Sequence, residues 1–256
     1  MKTLRLSYFL VPLCCLLAFA LPPRKKIRIW MIGDSTMSIK SMRAAPETGW
    51  GMPFVAFWDS TVRVENRALN GRSTRTFIGE QHWQAVADSL QADDYVLMQF
   101  GHNDEAKGPR YAERSASVPD YTLNLTRFIK ETRQKNAHPV LITPVTRLRF
   151  DSTGKAQLTH TGYREAVMEL GRQLQVPVID LDSLSRGLLE KYGPEQSKLL
   201  YLQLDSLQHP NYPAGIKDGT HFSELGARRM AELVLAEIRR QQLPLAERIV
   251  VPPAKK

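Results

Sequence analysis

The chain has 256 residues and a mass of 29.1 kDa, enough for one large α/β domain or two small ones. Its composition, with 43% hydrophobic and 24% charged residues, excludes collagen-like, low-complexity and wholly disordered proteins. The two cysteines, Cys14 and Cys15, are adjacent in an apolar N-terminal stretch. Their position excludes a disulfide scaffold, an iron–sulfur protein and a cysteine-ligated zinc site.

Residues 1–20 have the pattern of a secretory signal peptide. Lys2 and Arg5 give a positive start, residues 6–19 are mostly apolar, and the segment ends in Ala-Phe-Ala, a small-x-small cleavage site. The apolar run is shorter than the roughly 20 residues that span a bilayer. We therefore expect the signal to be cleaved and the mature protein to be secreted or periplasmic, in a bacterium, with no stable membrane insertion. The alternative is that the segment stays uncleaved as a membrane anchor.

The chain is basic, with a net charge of +9 at pH 7, which signal cleavage would lower by two. An exported basic protein is suited to polyanions such as acidic polysaccharide, anionic lipid or nucleic acid. A basic surface without a special partner explains the charge equally well. No nucleic-acid-binding motif accompanies the charge, so we expect no nucleic-acid partner.

Five short segments rich in β-branched or apolar residues predict strands, and segments with helical spacing lie between or after them. In chain order, the predicted strands are residues 27–32, 61–64, 95–100, 139–143 and 176–181. The predicted helices are residues 83–91, 121–135, 162–175, 183–192 and 224–241. This alternation predicts one doubly wound α/β/α domain with a parallel sheet covered on both faces.

The mature length fits a single domain, which we place at residues 24–245, with a C-terminal tail at 246–256. Long loops are expected at 37–57 and 204–217, and loops of this length are often functional. Polar, glycine-marked segments follow the predicted strands, and ligands of open parallel sheets bind beyond the carboxyl ends of the strands. These segments are 33–36, 66–73, 101–104, 144–147 and, before the last helix, 218–221.

Ser35 is the candidate nucleophile, because it follows the first strand in a tight turn after a glycine. A serine hydroxyl needs a base to take its proton, and His221 is the candidate base. Asp218 lies three residues earlier, in a predicted short loop, where it can orient the imidazole. The alternatives are a turn serine, a helix-capping aspartate and a surface histidine. A histidine base, titrating ordinarily near a pH of about 6.5, predicts that activity falls on the acid side.

Three groups at the same sheet edge are candidate oxyanion donors: the backbone N–H groups of Ser35 and Gly71 and the side-chain amide of Asn103. Gly71 lacks a side chain, so its backbone can approach a substrate closely. The alternative for Asn103 and Gly71 is that both are ordinary turn residues. His102 precedes Asn103 and is expected to be structural. The other histidines form no metal-binding constellation.

The chain resembles the SGNH (GDSL-type) hydrolases. The residues similar to their four blocks are Gly33-Asp34-Ser35, Gly71, Gly101-His102-Asn103-Asp104 and Asp218-Gly219-Thr220-His221. Further similarity is to the rhamnogalacturonan acetylesterase branch, at residues 49–51, 70–73, 99–104, 143–145, 150 and 221–223. The resemblance covers nearly all of residues 27–241. The predicted loop at 204–217 matches no pattern of the family.

The resemblance implies a three-layer α/β/α (flavodoxin-like) fold with a five-stranded parallel sheet. It also implies an extracellular esterase that removes acetyl groups from pectin-type polysaccharide (rhamnogalacturonan) without a cofactor. We expect Ser35 to attack the acetyl carbonyl and form an acetyl-enzyme, with Asp34 and Asp104 ordering turns. The partner is then an acetylated polysaccharide, and the oligomeric state is left open.

Arginines and aromatic residues near the predicted site are candidates for substrate binding. Arg72, Arg75, Arg147 and Arg149 follow predicted strands, and one or two of them are expected to contact a galacturonate carboxylate. Alternatively, they pair with acidic side chains and brace loops. Trp50, with Phe54 and Trp58, forms either a sugar-stacking wall or a buried aromatic cluster.

Three other functions compete with pectin deacetylation. An acetylxylan esterase would act on a mostly neutral backbone by the same mechanism. A lipase or thioesterase on the same fold would need an exposed apolar groove or lid. A catalytically inactive glycan-binding module would have lost at least one of the four family positions, and none is lost here.

Overall fold

A five-stranded parallel sheet with strand order β2-β1-β3-β4-β5 forms the centre of the molecule. The computed structural model describes residues 24–250, so the predicted signal peptide lies outside the described residues. The strands are β1 (Ile27–Gly33), β2 (Val62–Asn66), β3 (Tyr95–Gln99), β4 (His138–Ile142) and β5 (Val178–Ile179). All five correspond to predicted strands, and the predicted parallel sheet is confirmed.

Helices cover both faces of the sheet. They are α1 (Gly51–Phe54), α2 (Thr74–Gly79), α3 (His82–Ser89), α4 (Val118–Gln134), α5 (Tyr163–Leu174), α6 (Leu181–Gln196) and α7 (Glu224–Arg240). Because successive strand residues point to opposite faces, Ile29 and Met31 pack in one core cluster with Val234 of α7. Trp30 and Ile32 pack in a second cluster with α3, α4 and α5. The three-layer α/β/α architecture is therefore confirmed.

The C-terminal part of the chain contains a separate two-stranded antiparallel sheet that the sequence did not predict. It consists of β6 (Tyr201–Leu204) and β7 (Ile216–Phe222). The predicted loop at 204–217 is mainly the connection between these strands. The prediction of a short loop at 218–221 is wrong, because these residues lie in β7. Its sequence has no alternation of apolar and polar residues, and its extended conformation is stabilised by pairing with β6 and by a bridge between Phe222 and Thr48.

Element boundaries differ most where the predicted fifth strand meets the next helix. Observed β5 has two residues, and α6 begins at Leu181, earlier than predicted, because the carboxylate of Asp180 accepts a hydrogen bond from the Ser183 N–H at 3.3 Å. The short helix α2 was not predicted. Its start is fixed by a capping box between Ser73 and Thr76, a pair too local to give an apolar period.

The predicted C-terminal tail is partly wrong, because residues 246–250 pack on the domain. Ile249 is 6% exposed and forms an isolated antiparallel bridge with Trp58. The N–H of Val250 also donates to the carbonyl of Phe57 at 2.9 Å. The domain therefore extends past the predicted boundary at 245, because an apolar side chain this close to the core is buried rather than left in solvent.

Between residues 24 and 250, no helix is both long enough and apolar enough to cross a bilayer.

Replacing Ile249 tests this boundary. Ile249→Ala should lower the free energy of unfolding by about 2 kcal/mol, because it removes buried methyl groups and leaves a cavity. Val250→Ala is the matched control, since the Val250 side chain is exposed and such changes usually stay within about 0.5 kcal/mol. Urea unfolding measures both. Equal effects of the two substitutions would place Ile249 outside the folded domain.

Candidate active site

Ser35 lies in a tight turn directly beyond β1. The carboxylate of Asp34 accepts hydrogen bonds from the Thr36 N–H at 2.9 Å and the Thr36 hydroxyl at 2.7 Å. The Asp34 carbonyl accepts from the N–H groups of the third and fourth residues after it. A Cβ atom on Gly33 would lie 2.4 Å from the Gln99 carbonyl oxygen, so the close packing of β1 and β3 requires glycine there. The turn presents the Ser35 side chain at the carboxyl edge of the sheet.

The structure brings Ser35, His221 and Asp218 into one hydrogen-bonded chain. His221 Nε2 lies 2.8 Å from Ser35 Oγ, and His221 Nδ1 lies 2.7 Å from Asp218 Oδ2. An ionised Asp218 carboxylate has no hydrogen to donate and can only accept a hydrogen bond from His221 Nδ1. Nδ1 therefore carries the hydrogen, and Nε2 faces the Ser35 hydroxyl as an acceptor.

The Asp218 carboxylate also fixes the backbone that carries the base. Its Oδ1 accepts from the N–H groups of Thr220 at 2.7 Å and His221 at 3.0 Å. Burial raises the pKa of Asp218, but hydrogen bonding to His221, the charge of His221 and these N–H groups outweigh it and lower the pKa to about 2. Asp218 therefore stays ionised throughout the range in which histidine side chains titrate.

The three candidate oxyanion donors all keep hydrogen-bonding capacity in the described part of the chain. Within the described chain, the backbone N–H groups of Ser35 and Gly71 donate to no protein acceptor. Gly71 has a φ of +74°, a conformation that favours glycine. The Asn103 amide donates one hydrogen to the Arg72 carbonyl at 3.0 Å, which holds it beside the Gly71 loop and leaves its second hydrogen available.

Trp50 does not contact solvent, so the prediction that it binds substrate is wrong. Its side chain is fully buried, and its Nε1–H donates to Gln99 Oε1 at 2.6 Å. Gln99 Nε2 in turn donates to Thr36 Oγ1 at 2.8 Å, and Thr36 binds Asp34. The aromatic cluster of Trp50, Phe54 and Trp58 is buried, and Trp50 supports the turn of the nucleophile from below.

Arg147 is engaged with protein groups. It forms a salt bridge with Glu105 and donates to the Thr159 carbonyl at 3.3 Å. These contacts match the loop-bracing alternative, and a substrate carboxylate would have to compete with Glu105 for this guanidinium. The backbone of the same loop also supports the base, because the Leu148 N–H donates to the Gly219 carbonyl at 2.7 Å.

Arg72 lies closer to the candidate oxyanion donors. Its Nε donates to Glu80 Oε2 at 2.8 Å, and its Nη1 donates to the Asn70 carbonyl at 3.0 Å. Arg72 therefore both pairs with a carboxylate and borders the Gly71 loop, so a substrate contact stays a prediction. Arg149 is exposed.

Lys40 is a buried cation that sequence reasoning missed. Its Nζ lies 2.7 Å from both Glu47 Oε1 and Asn70 Oδ1, and Asn70 Oδ1 also accepts from Ser38 Oγ at 2.6 Å. Burial lowers the pKa of Lys40, against the opposing effect of Glu47. These bonds tie the segment after the nucleophile to the loop of Gly71. The lysine has no sequence signal, because its partners come from separate segments.

A buried histidine pair lies beside Asn103. His102 Nδ1 is 3.3 Å from His160 Nε2, and the ring centroids are 4.2 Å apart. Burial lowers the pKa of His102 well below its usual range, and the positive charge of Arg147 lowers it further. A neutral, buried His102 agrees with the predicted structural role. Its contact with His160 links residues 58 apart in sequence and has no sequence signal.

Asp104 connects α2 to the segment that carries Asn103. Its Oδ1 accepts from the Thr74 N–H at 2.9 Å and the Thr74 hydroxyl at 2.6 Å. Its Oδ2 is buried without a hydrogen-bond partner in the described chain. Burial outweighs the hydrogen bonds of Thr74 and raises the pKa of Asp104 to about 7.

Among residues 24–250, no group of three or more His, Cys, Asp or Glu side chains has the arrangement of a metal site. The site brings together a candidate nucleophile, a candidate base, a carboxylate that orients it and candidate oxyanion donors. This set is suited to acyl transfer through a covalent intermediate.

A sequence profile of the GDSL-like lipase/acylhydrolase family matches residues 31–229, and the chain belongs to this family of carboxylic ester hydrolases. Rhamnogalacturonan acetylesterase RhgT of Bacillus subtilis (strain 168) is 42% identical over 227 residues, which cover 89% of this chain and 96% of that protein. The probable rhamnogalacturonan acetylesterase YesY of the same strain is 34% identical over 224 residues, covering 87% and 97%.

A solved structure also resembles this chain. The crystal structure of protein YxiM from Bacillus subtilis has a TM-score of 0.73 at 26% identity, covering 87% of this chain and 58% of that chain. The resemblance inferred from the sequence blocks is thus confirmed for the family and for the fold.

The raised pKa of Asp104 predicts a pH dependence of stability. Because its folded pKa of about 7 exceeds the ordinary value of 3.8, the folded state binds the extra proton. The stability from this group is present below the ordinary pKa and is lost as pH rises through about 7. Asp104→Asn keeps an acceptor for Thr74 and removes the titration. The free energy of unfolding of this variant should therefore fall less between about pH 4 and pH 8 than that of the wild type.

Urea unfolding at several pH values measures this difference. Asp88→Asn, at an exposed carboxylate on α3, is the matched control and should follow the wild-type profile. Parallel profiles for Asp104→Asn and the wild type would mean that Asp104 is not held protonated by the fold.

Proposed function

We propose that the protein is a carbohydrate esterase that removes O-acetyl groups from pectin-type polysaccharide, of the rhamnogalacturonan kind. The observation that carries the reaction is the chain of hydrogen bonds from Asp218 through His221 to Ser35, at 2.7 and 2.8 Å. The substrate is supported by the 42% identity to RhgT over 89% of the chain. We also propose that it acts outside the cytoplasm, on the strength of the sequence pattern at residues 1–20.

Acylation begins when Ser35 Oγ attacks the acetyl carbonyl carbon and His221 Nε2 takes the hydroxyl proton. The ionised Asp218 stabilises the imidazolium that forms. The N–H groups of Ser35 and Gly71 and the free hydrogen of Asn103 bind the negative oxygen. The imidazolium then protonates the sugar oxygen as its bond to carbon breaks, which releases the deacetylated sugar and leaves acetyl-Ser35.

Deacylation repeats the same proton transfers with water. His221 takes a proton from the water that attacks the acetyl carbonyl and passes it to Ser35 Oγ, as acetic acid leaves and ionises to acetate. The loss of one oxyanion donor typically costs about 100- to 1,000-fold in rate. The bonds that hold Asn103 to Arg72 and Lys40 to Asn70 therefore act on catalysis through the position of these donors.

Two alternative functions, a lipase or thioesterase and an inactive glycan-binding module, require different structural features. A lipase or thioesterase needs an exposed apolar acyl site, and the side chains of Ile39 and Met42, which follow the nucleophile turn, are 62% and 86% exposed. This observation keeps acyl-chain esters among the substrates to be tested. An inactive glycan-binding module is disfavoured, because hydrogen bonds of 2.8 and 2.7 Å join Ser35 to His221 and His221 to Asp218.

Acetate release from acetylated rhamnogalacturonan and from acetylated xylan, measured side by side, tests the proposal. The wild type should release acetate from the pectin substrate, and Ser35→Ala should lower kcat by on the order of 10⁶. Ser89→Ala, on an exposed part of α3, is the matched control and should keep wild-type activity.

Each other outcome selects a different function. Release from xylan alone would keep the mechanism and replace the substrate. Cleavage of acyl-chain esters alone would favour the lipase or thioesterase. Glycan binding without release of acetate by the wild type would favour the inactive module.

A further inference from the structure

A cleft of about 390 Å³ opens beside the candidate oxyanion glycine. Gly71 forms part of its lining, and the cleft continues between α2 and the segment 110–114. A Cβ atom built on Gly71 would lie 3.6 Å from Nη1 of Arg114. The guanidinium of Arg114 therefore lies beside the loop that would hold the acetyl carbonyl oxygen.

Three arginines line this cleft, and they differ in their partners. Arg72 is neutralised by Glu80 at 2.8 Å. In the described part of the chain, neither Arg110 nor Arg114 forms a salt bridge, and Nε of Arg114 is buried without a hydrogen-bond partner. A guanidinium carries five N–H donors in a rigid fork, so the two arginines offer an unused set of donors in the cleft that Gly71 lines.

One aromatic ring positions both of these guanidinium groups. The Cζ atoms of Arg110 and Arg114 lie 4.4 Å and 4.7 Å from the centroid of Tyr111, within cation–π range. Because both cations contact the ring, Tyr111 orients guanidinium groups rather than presenting a free face to a sugar. Side chains that are already ordered lose less entropy when a ligand binds.

The segment that carries them is tied to the catalytic part of the fold. Arg75 Nη1 donates to the carbonyls of Ala112 at 3.1 Å and Ser115 at 3.3 Å. The Ala116 N–H donates to the Asp104 carbonyl at 3.0 Å. Arg75, a sequence candidate for substrate binding, thus holds the arginine-bearing segment against α2.

We propose that Arg114 and Arg110 bind the carboxylate of an acidic sugar in the acetylated polysaccharide chain. This subsite rests on the proposed function, because its position is defined by the oxyanion donors. A carboxylate is planar and matches the guanidinium fork in a bidentate arrangement. It also supplies the acceptors that Arg114 lacks in the protein.

Glu113 lines the same cleft, and its negative charge opposes an anionic ligand. Removing this charge should therefore have the opposite effect on binding of an acidic substrate from removing an arginine. Glu113→Gln should favour the acidic substrate, whereas loss of either arginine should disfavour it.

The test measures kcat/KM for acetylated rhamnogalacturonan oligosaccharides and for the same oligosaccharides with their carboxylates reduced to alcohols. The ratio of the two values reports recognition of the carboxylate and is independent of general losses in activity. Arg114→Met should lower the ratio about ten-fold, the effect of a lost charged hydrogen bond. Arg110→Met should also lower the ratio, and Glu113→Gln should raise it.

Arg149→Met tests the other candidate contact, in the loop beyond β4. Arg239→Met is the matched control, because Arg239 is an exposed arginine at the end of α7 and does not line this cleft. It should leave the ratio at the wild-type value. Arg110 is exposed, so its substitution keeps the proposal testable if Arg114→Met does not fold.

The outcomes separate this inference from the proposed function. An active wild type whose ratio is unchanged by Arg114→Met and Arg110→Met overturns the subsite alone. A fall in the ratio caused by Arg149→Met instead moves carboxylate recognition to the loop after β4. A wild type that releases no acetate from either oligosaccharide overturns the proposed function itself.

Discussion

The carboxylate of Asp218 makes three hydrogen bonds to residues 220 and 221 of β7. The position of the His221 imidazole depends on all of them. One oxygen binds two backbone N–H groups, and the other binds His221 Nδ1 at 2.7 Å. The same group therefore shapes the backbone, orients the imidazole and, in the proposed mechanism, stabilises the imidazolium with its negative charge. Among the described residues, the Ser35 hydroxyl has one hydrogen-bond partner, His221 Nε2. A shift of residues 218–221 would therefore break the contact between the candidate nucleophile and the candidate base.

The remaining polar contacts hold the candidate nucleophile and the candidate oxyanion donors in place beside His221. Trp50 and Gln99 support the Ser35 turn from the core, and Lys40 joins the segment after that turn to the loop of Gly71. Asp104 fixes α2 to the neighbouring loop. Buried polar groups of this kind are costly when unpaired. Their removal is therefore expected to disorder the site as well as to lower stability.

The sequence predicted the sheet and the candidate triad because both depend on local signals. Apolar runs predict strands, and the residues after parallel strands meet at one edge. It misjudged Trp50, because an aromatic residue in a long loop has the same local pattern whether it packs on Gln99 or faces solvent. The pairing of Arg147 with Glu105 and the burial of Ile249 depend on contacts between distant segments. Arg114 lies outside every predicted strand and helix, and only the folded chain places it beside the oxyanion loop.

The most direct test of the proposed mechanism is to locate the acetyl group on the enzyme during turnover. The reaction with an acetylated substrate is quenched with acid, the protein is digested, and the peptides are analysed by mass spectrometry. The Ser35 mechanism predicts one acetyl group on the peptide that contains Ser35, and none on the corresponding peptide of Ser35→Ala. An acetyl group on another residue, or steady release of acetate by Ser35→Ala, would contradict it.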